Sequence, residues 1–263
     1  MASLQRGNTE LFYTTWGTQG EWITLLNGFM RSSSDFTLLA TGLARAGFRV
    51  LALDNRGTGR TQYATNFTLD DMTDDVVAIW DQEEILSSHV IGFSMGGLLA
   101  QLLATRKNER ISSLTLVSSC VHPARILRPN VTWSMDVDHN QAILGHYVSA
   151  SFKEKNQMLL RMMAQAISTA VEKNDFLLHA NRQLEAMRLY APPTAAQRSA
   201  FTGSVLILHG REDALIPLEE AQQLQAAFPQ SQFLVAEEAG HLLLAEKSVW
   251  LSATIISSLP KRV

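Results

Sequence analysis

An α/β fold with a mostly parallel central sheet is predicted for this chain, on three observations. Short strand-like runs alternate with helix-period segments through residues 1–121. The middle, residues 122–200, carries no strand pattern and reads as helices. From residue 201 the alternation of strand and helix resumes. Strands and helices in strict succession are the signature of parallel strands joined by crossover helices.

Each element follows from local pattern. Residues 11–15 and 22–26 are short apolar runs with Gly17 and Gly20 between them, and read as strands. Residues 48–53 are the next strand, ending in the turn sequence Asp54-Asn55-Arg56-Gly57. A helix follows: Thr68 is its N-cap with Asp71 three residues on, and Leu69, Met72, Val76 and Ile79 recur at helical spacing. Residues 89–93 are a buried-strand run. Residues 95–106 form a helix with Leu98, Leu99, Leu102 and Leu103 on one side, and 114–117 are the next strand. At the far end 205–208 are strand, Pro217 opens a helix to Phe228, 233–235 are strand and 248–259 are a final helix.

The middle segment is expected to form helices around 141–151, 157–171 and 175–190, closed by Pro192-Pro193. It holds Met135, Met158, Met162, Met163 and Met187. It leaves the sheet at a strand's carboxyl end, where ligands bind in open α/β sheets, so it is expected to roof a site as a Met-rich lid. The expected organisation is one core domain, residues 1–121 and 201–263, interrupted by a helical cap, residues 122–200.

Composition narrows the function classes. Of 263 residues, 46% are hydrophobic and 18% charged, which suits a folded globular chain. The net charge of −3 argues against a general nucleic-acid binder, and Lys261-Arg262 is too small a basic cluster to change that. A single cysteine, Cys120, allows no intrachain disulfide and no thiolate metal site, and is expected to be a small buried hydrophobe. No apolar stretch approaches the roughly 20 residues of a membrane span. No secretory pattern opens the chain, so a cytoplasmic location is expected. No feature of the sequence specifies an oligomeric state.

The residues able to carry chemistry are few. Gly92-Phe93-Ser94-Met95-Gly96 is a G-x-S-x-G placed directly after a strand and directly before a helix. That is where a sharp turn pushes a serine to the top of a sheet, at a helix N-terminus that favours developing negative charge. A serine needs a base, and the base an orienting partner. Among seven histidines, His241 lies in a loop beyond the last strand, at a strand's carboxyl end. Asp213 follows the 205–208 strand and is the candidate acid; it also fits a plain turn or capping role, and Glu212 is its rival.

The order Ser94, Asp213, His241 is that of the α/β-hydrolase superfamily, which the sequence resembles from about Leu11 to Leu259. Leu25-Leu26-Asn27-Gly28-Phe29 resembles the family's oxyanion loop. Asp54-Asn55-Arg56-Gly57-Thr58-Gly59 resembles its D-x-R-G-x-G turn, a structural element that Arg56 ties together. Gly210-Arg211-Glu212-Asp213 and Gly240-His241 resemble its acid and histidine loops. The resemblance implies the α/β-hydrolase fold with an inserted helical cap. It also implies a serine hydrolase that needs no metal or cofactor, with the backbone N–H groups of Phe29 and Met95 as the oxyanion hole. A serine at the elbow argues against a dehalogenase, which would carry aspartate there.

One position departs from the pattern. Asn27 stands where the family usually has histidine. It either holds the turn or adds a side-chain donor near the oxyanion, as in some enol-lactonases and acyl-homoserine lactonases. Asn27, Gly28 and Met30 are the expected substrate-binding residues, with Phe29, Met30 and Met95 bounding a pocket for an apolar group of small to medium size. The implied reaction is hydrolysis of a small-molecule carboxylic ester, lactone or thioester, in the carboxylesterase class. The alternatives are carbon–carbon bond hydrolysis or a perhydrolase reaction on the same residues, or a receptor-like binding protein with negligible turnover.

Overall fold

The structure is a computed structural model that describes residues 2–63, 65–127, 132–173 and 175–259. The ends of the expected core domain, with Lys261-Arg262, lie outside the described residues. Eight strands form one sheet: β1 (Ala2–Arg6), β2 (Thr9–Trp16), β3 (Trp22–Leu26), β4 (Arg49–Leu53), β5 (Ser88–Phe93), β6 (Ile111–Val117), β7 (Ser204–Gly210) and β8 (Gln232–Ala236). Their order is β1-β2-β4-β3-β5-β6-β7-β8. β1 and β2 pair antiparallel with each other, and β2 antiparallel with β4; the pairings from β4 through β8 are parallel.

Both faces of the parallel part are buried, which is why its strands read as continuous apolar runs. Successive residues point to opposite faces. Leu26, Leu51, Leu53, Val90, Leu114, Val205 and Ile207 pack on one side, against α2 (Leu69–Gln82), α3 (Met95–Arg106) and α9 (Leu218–Ala227). Ile23, Leu25, Val50, Ala52, Ile91, Phe93, Leu206 and Leu208 pack on the other, against α1 (Thr37–Arg45) and α11 (Ser248–Ser258). A short α10 (Leu243–Glu246) precedes α11. The expected cap at Thr68 is present as a reciprocal box with Asp71. Burial alone would raise the Asp71 carboxyl, but hydrogen bonds from the Thr68 N–H and hydroxyl outweigh it and hold it below the usual carboxylate range.

Between β6 and β7 lie α4 (Val137–Leu144), α5 (Ala150–Lys155), α6 (Gln157–Glu172), α7 (Phe176–Arg188) and α8 (Ala195–Ser199). The helix expected around 141–151 is two helices, because residues 145–149 leave the helix to meet the core. The methionines of the insertion do not share one environment. Met135, Met158 and Met162 are exposed, and Met187 is buried in the main core. On α6 the buried row is Leu160, Ala164 and Ser168; the small Ala164 and Ser168 let α6 approach α4 closely, where Asn140 Nδ2 donates to Ser168 Oγ at 2.9 Å. Cys120 is buried as expected, and burial pushes its thiol up to about 12. Among the described residues no helix is long and apolar enough to cross a membrane.

Candidate active site

The site lies at the carboxyl ends of β3, β5, β7 and β8. β5 ends at Phe93, and Ser94 joins it to α3 with φ 52° and ψ −116°. That left-handed backbone is strained for a serine. It persists because its surroundings are fixed: Ser94 N–H donates to Val117 O at 2.9 Å, and Ser119 Oγ donates to Ser94 O at 2.9 Å. The flanking glycines are steric necessities. A Cβ on Gly92 would sit 2.3 Å from Gly96 O, and one on Gly96 only 2.0 Å from Leu26 O.

Ser94, His241 and Asp213 come together as a hydrogen-bonded chain. His241 Nε2 is 3.1 Å from Ser94 Oγ, and His241 Nδ1 is 2.8 Å from Asp213 Oδ2. A carboxylate only accepts, so the proton sits on Nδ1 and leaves Nε2 free to accept from the serine hydroxyl. Asp213 Oδ1 also accepts from the N–H groups of Leu215 and Ile216 at 3.0 and 2.8 Å, so the turn role and the histidine contact coexist in one side chain. The rival Glu212 points elsewhere and accepts from Ala150 N–H at 3.0 Å. A second histidine flanks the acid. His209, fully buried on β7, donates from Nε2 to Ile216 O at 2.8 Å and stands 3.4 Å from Asp213 Oδ2. Burial pushes its imidazole below the ordinary histidine value and outweighs the pull of Asp213, so His209 is neutral at pH 7.

The loop after β3 lies over the serine: a Cβ on Gly28 would come 3.3 Å from Ser94 Cβ. Met95 is the first residue of α3, so its N–H has no partner within the helix. Asn27 is buried and turned into its own loop. Its Nδ2 donates to Ser32 O at 2.5 Å, and its Oδ1 accepts from Gly28 N–H at 2.8 Å. The second amide hydrogen is directed to Asp35 Oδ2 at 3.4 Å, so both ends of the side-chain amide are engaged within the loop. Met30 places its backbone N–H on Gln183 Oε1 at 2.8 Å.

The D-x-R-G-x-G turn is built around a buried ion pair. Arg56 Nε and Nη2 donate to Asp75 at 2.5 and 2.8 Å, and the guanidinium lies 4.3 Å from the Tyr63 ring centroid. Asp54 accepts from the N–H groups of Ser33 and Arg60, tying this turn to the loop after β3.

Sequence reasoning did not find the residues that join the helical insertion to this site. Residues 147–150 are stitched to the histidine loop. His241 N–H donates to Tyr147 O at 2.7 Å, while Glu246 accepts from Ser149 N–H at 2.8 Å and from Gly240 N–H. Gln183 of α7 does the same at the oxyanion loop. Neither contact has a local signal, because each spans a long stretch of sequence. Among the described residues no group of three or more His, Cys, Asp or Glu is placed to hold a metal ion.

Residues 21–248 match the family model described as alpha/beta hydrolase fold. RutD of Variovorax paradoxus (strain S110), named as a candidate carbamate hydrolase, is 29% identical over 215 residues, 78% of this chain and 79% of its own length. The AB hydrolase superfamily protein YisY of Bacillus subtilis (strain 168) is 25% identical over 254 residues, 90% of either chain. Among solved structures, the enol-lactonase from Burkholderia xenovorans LB400 superposes with a TM-score of 0.80 at 21% identity, covering 97% of this chain and 98% of that one.

Proposed function

The chain belongs to the alpha/beta hydrolase fold family, and from that premise we infer that it is a serine hydrolase acting on a carboxylic ester, lactone or thioester. The observation that carries this reading is the continuous path Ser94 Oγ, His241 Nε2, His241 Nδ1, Asp213 Oδ2, at 3.1 and 2.8 Å across its two gaps.

Ser94 Oγ attacks the substrate carbonyl carbon as its proton passes to His241 Nε2. Asp213 holds the imidazole in the required tautomer and stabilises the imidazolium. The carbonyl oxygen becomes an oxyanion that accepts from the N–H groups of Phe29 and Met95, each worth ~3–4 kcal/mol in the transition state. The tetrahedral intermediate expels the alcohol, thiol or lactone oxygen, which takes the proton from His241. Water then gives a proton to His241 and attacks the acyl carbon, and the Ser94 oxygen leaves and recovers its proton. His209, already neutral, leaves the Asp213 charge to serve His241.

Phe29 and Met95 belong to one apolar cluster beside the elbow, and in this reading the pocket they bound suits a small to medium apolar acyl or alcohol group. The helical insertion, residues 122–200, is read as the cap that completes the pocket. Since the Asn27 amide is spent inside its loop, the oxyanion donors in this reading are backbone groups alone, and nothing at Asn27 selects lactones over open esters.

The test is hydrolysis of short p-nitrophenyl esters, lactones and acyl-thioesters, with fluorophosphonate labelling alongside. Ser94→Ala abolishes both hydrolysis and labelling while the unfolding transition is kept. Full turnover in that variant sinks the assignment, and a folded wild type that does not label points to a binding protein.

A further inference from the structure

The loop after β3 contains a turn held in a conformation its sequence does not favour. Arg31 N–H donates to Gly28 O at 3.2 Å, which makes Phe29 and Met30 the two central residues. Met30 has φ +55°. A left-handed residue at that position is ordinarily Gly or Asn, and methionine is strained there. The relaxed alternative flips the Phe29–Met30 peptide plane and gives the turn type that any residue tolerates. That flip changes the backbone dihedrals on both sides of the peptide, one residue from the Phe29 N–H.

A buried side chain opposes the flip. Gln183, on α7 of the helical insertion and fully buried, accepts from Met30 N–H through Oε1 at 2.8 Å. The same amide donates from Nε2 to Arg56 O at 2.8 Å, which fixes which end is oxygen and turns it toward Met30. Arg56 is immobilised by Asp75, and α7 is further pinned where His179 Nε2 and Arg182 Nη1 meet Tyr63 O at 3.1 and 2.8 Å. With the Gln183 side chain fully buried, its amide is held on both partners.

We propose that Gln183 is a positioning residue for the oxyanion hole, holding the Phe29–Met30 peptide so that Phe29 N–H faces the developing oxyanion above Ser94. It touches neither substrate nor reacting atoms and acts through the backbone of Met30. The proposal rests on the serine-hydrolase reading above and adds to it the means by which the insertion sets the rate.

The experiment is a pH series of kcat and kcat/KM on one p-nitrophenyl ester for wild type, Gln183→Met, Gln183→Glu and Arg182→Met, with unfolding midpoints for each. Gln183→Met keeps the volume and removes both hydrogen bonds. It lowers kcat and kcat/KM together by about 10- to 100-fold, the mark of an interaction lost only in the transition state. Gln183→Glu is the sharper probe. A protonated carboxyl reproduces both hydrogen bonds; an ionised one has nothing to donate to Arg56 O. Burial raises such a carboxyl, so kcat relative to wild type climbs roughly fivefold or more between about pH 8.5 and about pH 6. Arg182→Met removes a neighbouring tether of the same helix and leaves kcat within about threefold of wild type.

Gln183 variants within about twofold of wild type across the series overturn the proposal, as does an equal loss in Arg182→Met, which would assign the effect to helix docking at large. If Gln183→Met does not fold, the ratio profile of Gln183→Glu decides alone. A wild type that neither hydrolyses nor labels overturns the hydrolase reading and this inference with it. An active wild type with indifferent Gln183 variants overturns this inference only.

Discussion

Asp213→Asn separates the two duties of one side chain. Asp213 Oδ1 receives two backbone N–H groups, from Leu215 and Ile216, and Oδ2 receives His241 Nδ1. An asparagine has one acceptor end and one donor end, and the side facing two fixed N–H donors takes the oxygen. The amide NH₂ therefore turns toward His241 and forces Nδ1 to accept. The imidazole proton moves to Nε2, which then faces Ser94 Oγ as a donor and cannot remove its proton. The expected loss in kcat is about 10⁴-fold, equivalent to ~5–6 kcal/mol of transition-state stabilisation. Stability changes little, because the loop keeps its backbone hydrogen bonds. Asp213→Ala also strands the two N–H groups and loses a further ~1–3 kcal/mol of folding stability. Ester hydrolysis at saturating substrate gives the first quantity and urea unfolding the second. An Asp213→Asn chain retaining about a tenth of wild-type kcat refutes the tautomer argument.

Other consequences can be measured on the same footing. Burial alone would pull the Arg56 guanidinium down, but Asp75 outweighs it and holds Arg56 charged. Asp75→Asn leaves that charge buried without its counter-ion and costs ~3–5 kcal/mol in urea unfolding; a loss under about 1 kcal/mol contradicts the buried-pair account. His209 is kept neutral by burial in the folded state. Its unfolded counterpart takes up a proton below about pH 6.5, so the stabilisation is present above that pH and is lost as pH falls, by at most ~1.4 kcal/mol per unit. His209→Gln flattens that limb of the stability curve, and an unchanged slope assigns the acid lability elsewhere. Gly96→Ala drives a methyl into Leu26 O, where the three nearest atoms are all backbone. It lowers stability by at least about 3 kcal/mol, and a thermal midpoint equal to wild type contradicts the elbow geometry.

Much of the fold was legible because it repeats local rules. The runs at 22–26 and 95–106 coincide with β3 and α3, and Thr68 caps α2 with Asp71 as its spacing required. The convergence of Ser94, Asp213 and His241 was legible for a different reason: each sits just beyond a strand, and parallel strands bring their carboxyl ends to one edge. What escaped has its own physics. β1 is largely exposed and carries no alternation, since its pairing with β2 is made by backbone groups. The underside of α6 was hidden because close approach to α4 selects Ala164 and Ser168, which give no apolar signal, while Met158 and Met162 face outward. Gln183 and Glu246 look like ordinary helix polar residues until the fold sets them against Met30 and Gly240.

Two of the attachments of the insertion limit how this chain can diverge. One grips the histidine loop through residues 147–150, and the other grips the oxyanion loop through Gln183, while the outer face of α6 touches neither. Recombination that exchanged whole insertions between relatives would combine parts that each fold yet no longer hold the two loops in register. Change confined to the outward residues of α6 is free of that penalty. Inheritance of activity therefore follows the brackets more closely than the bulk of the segment that carries them.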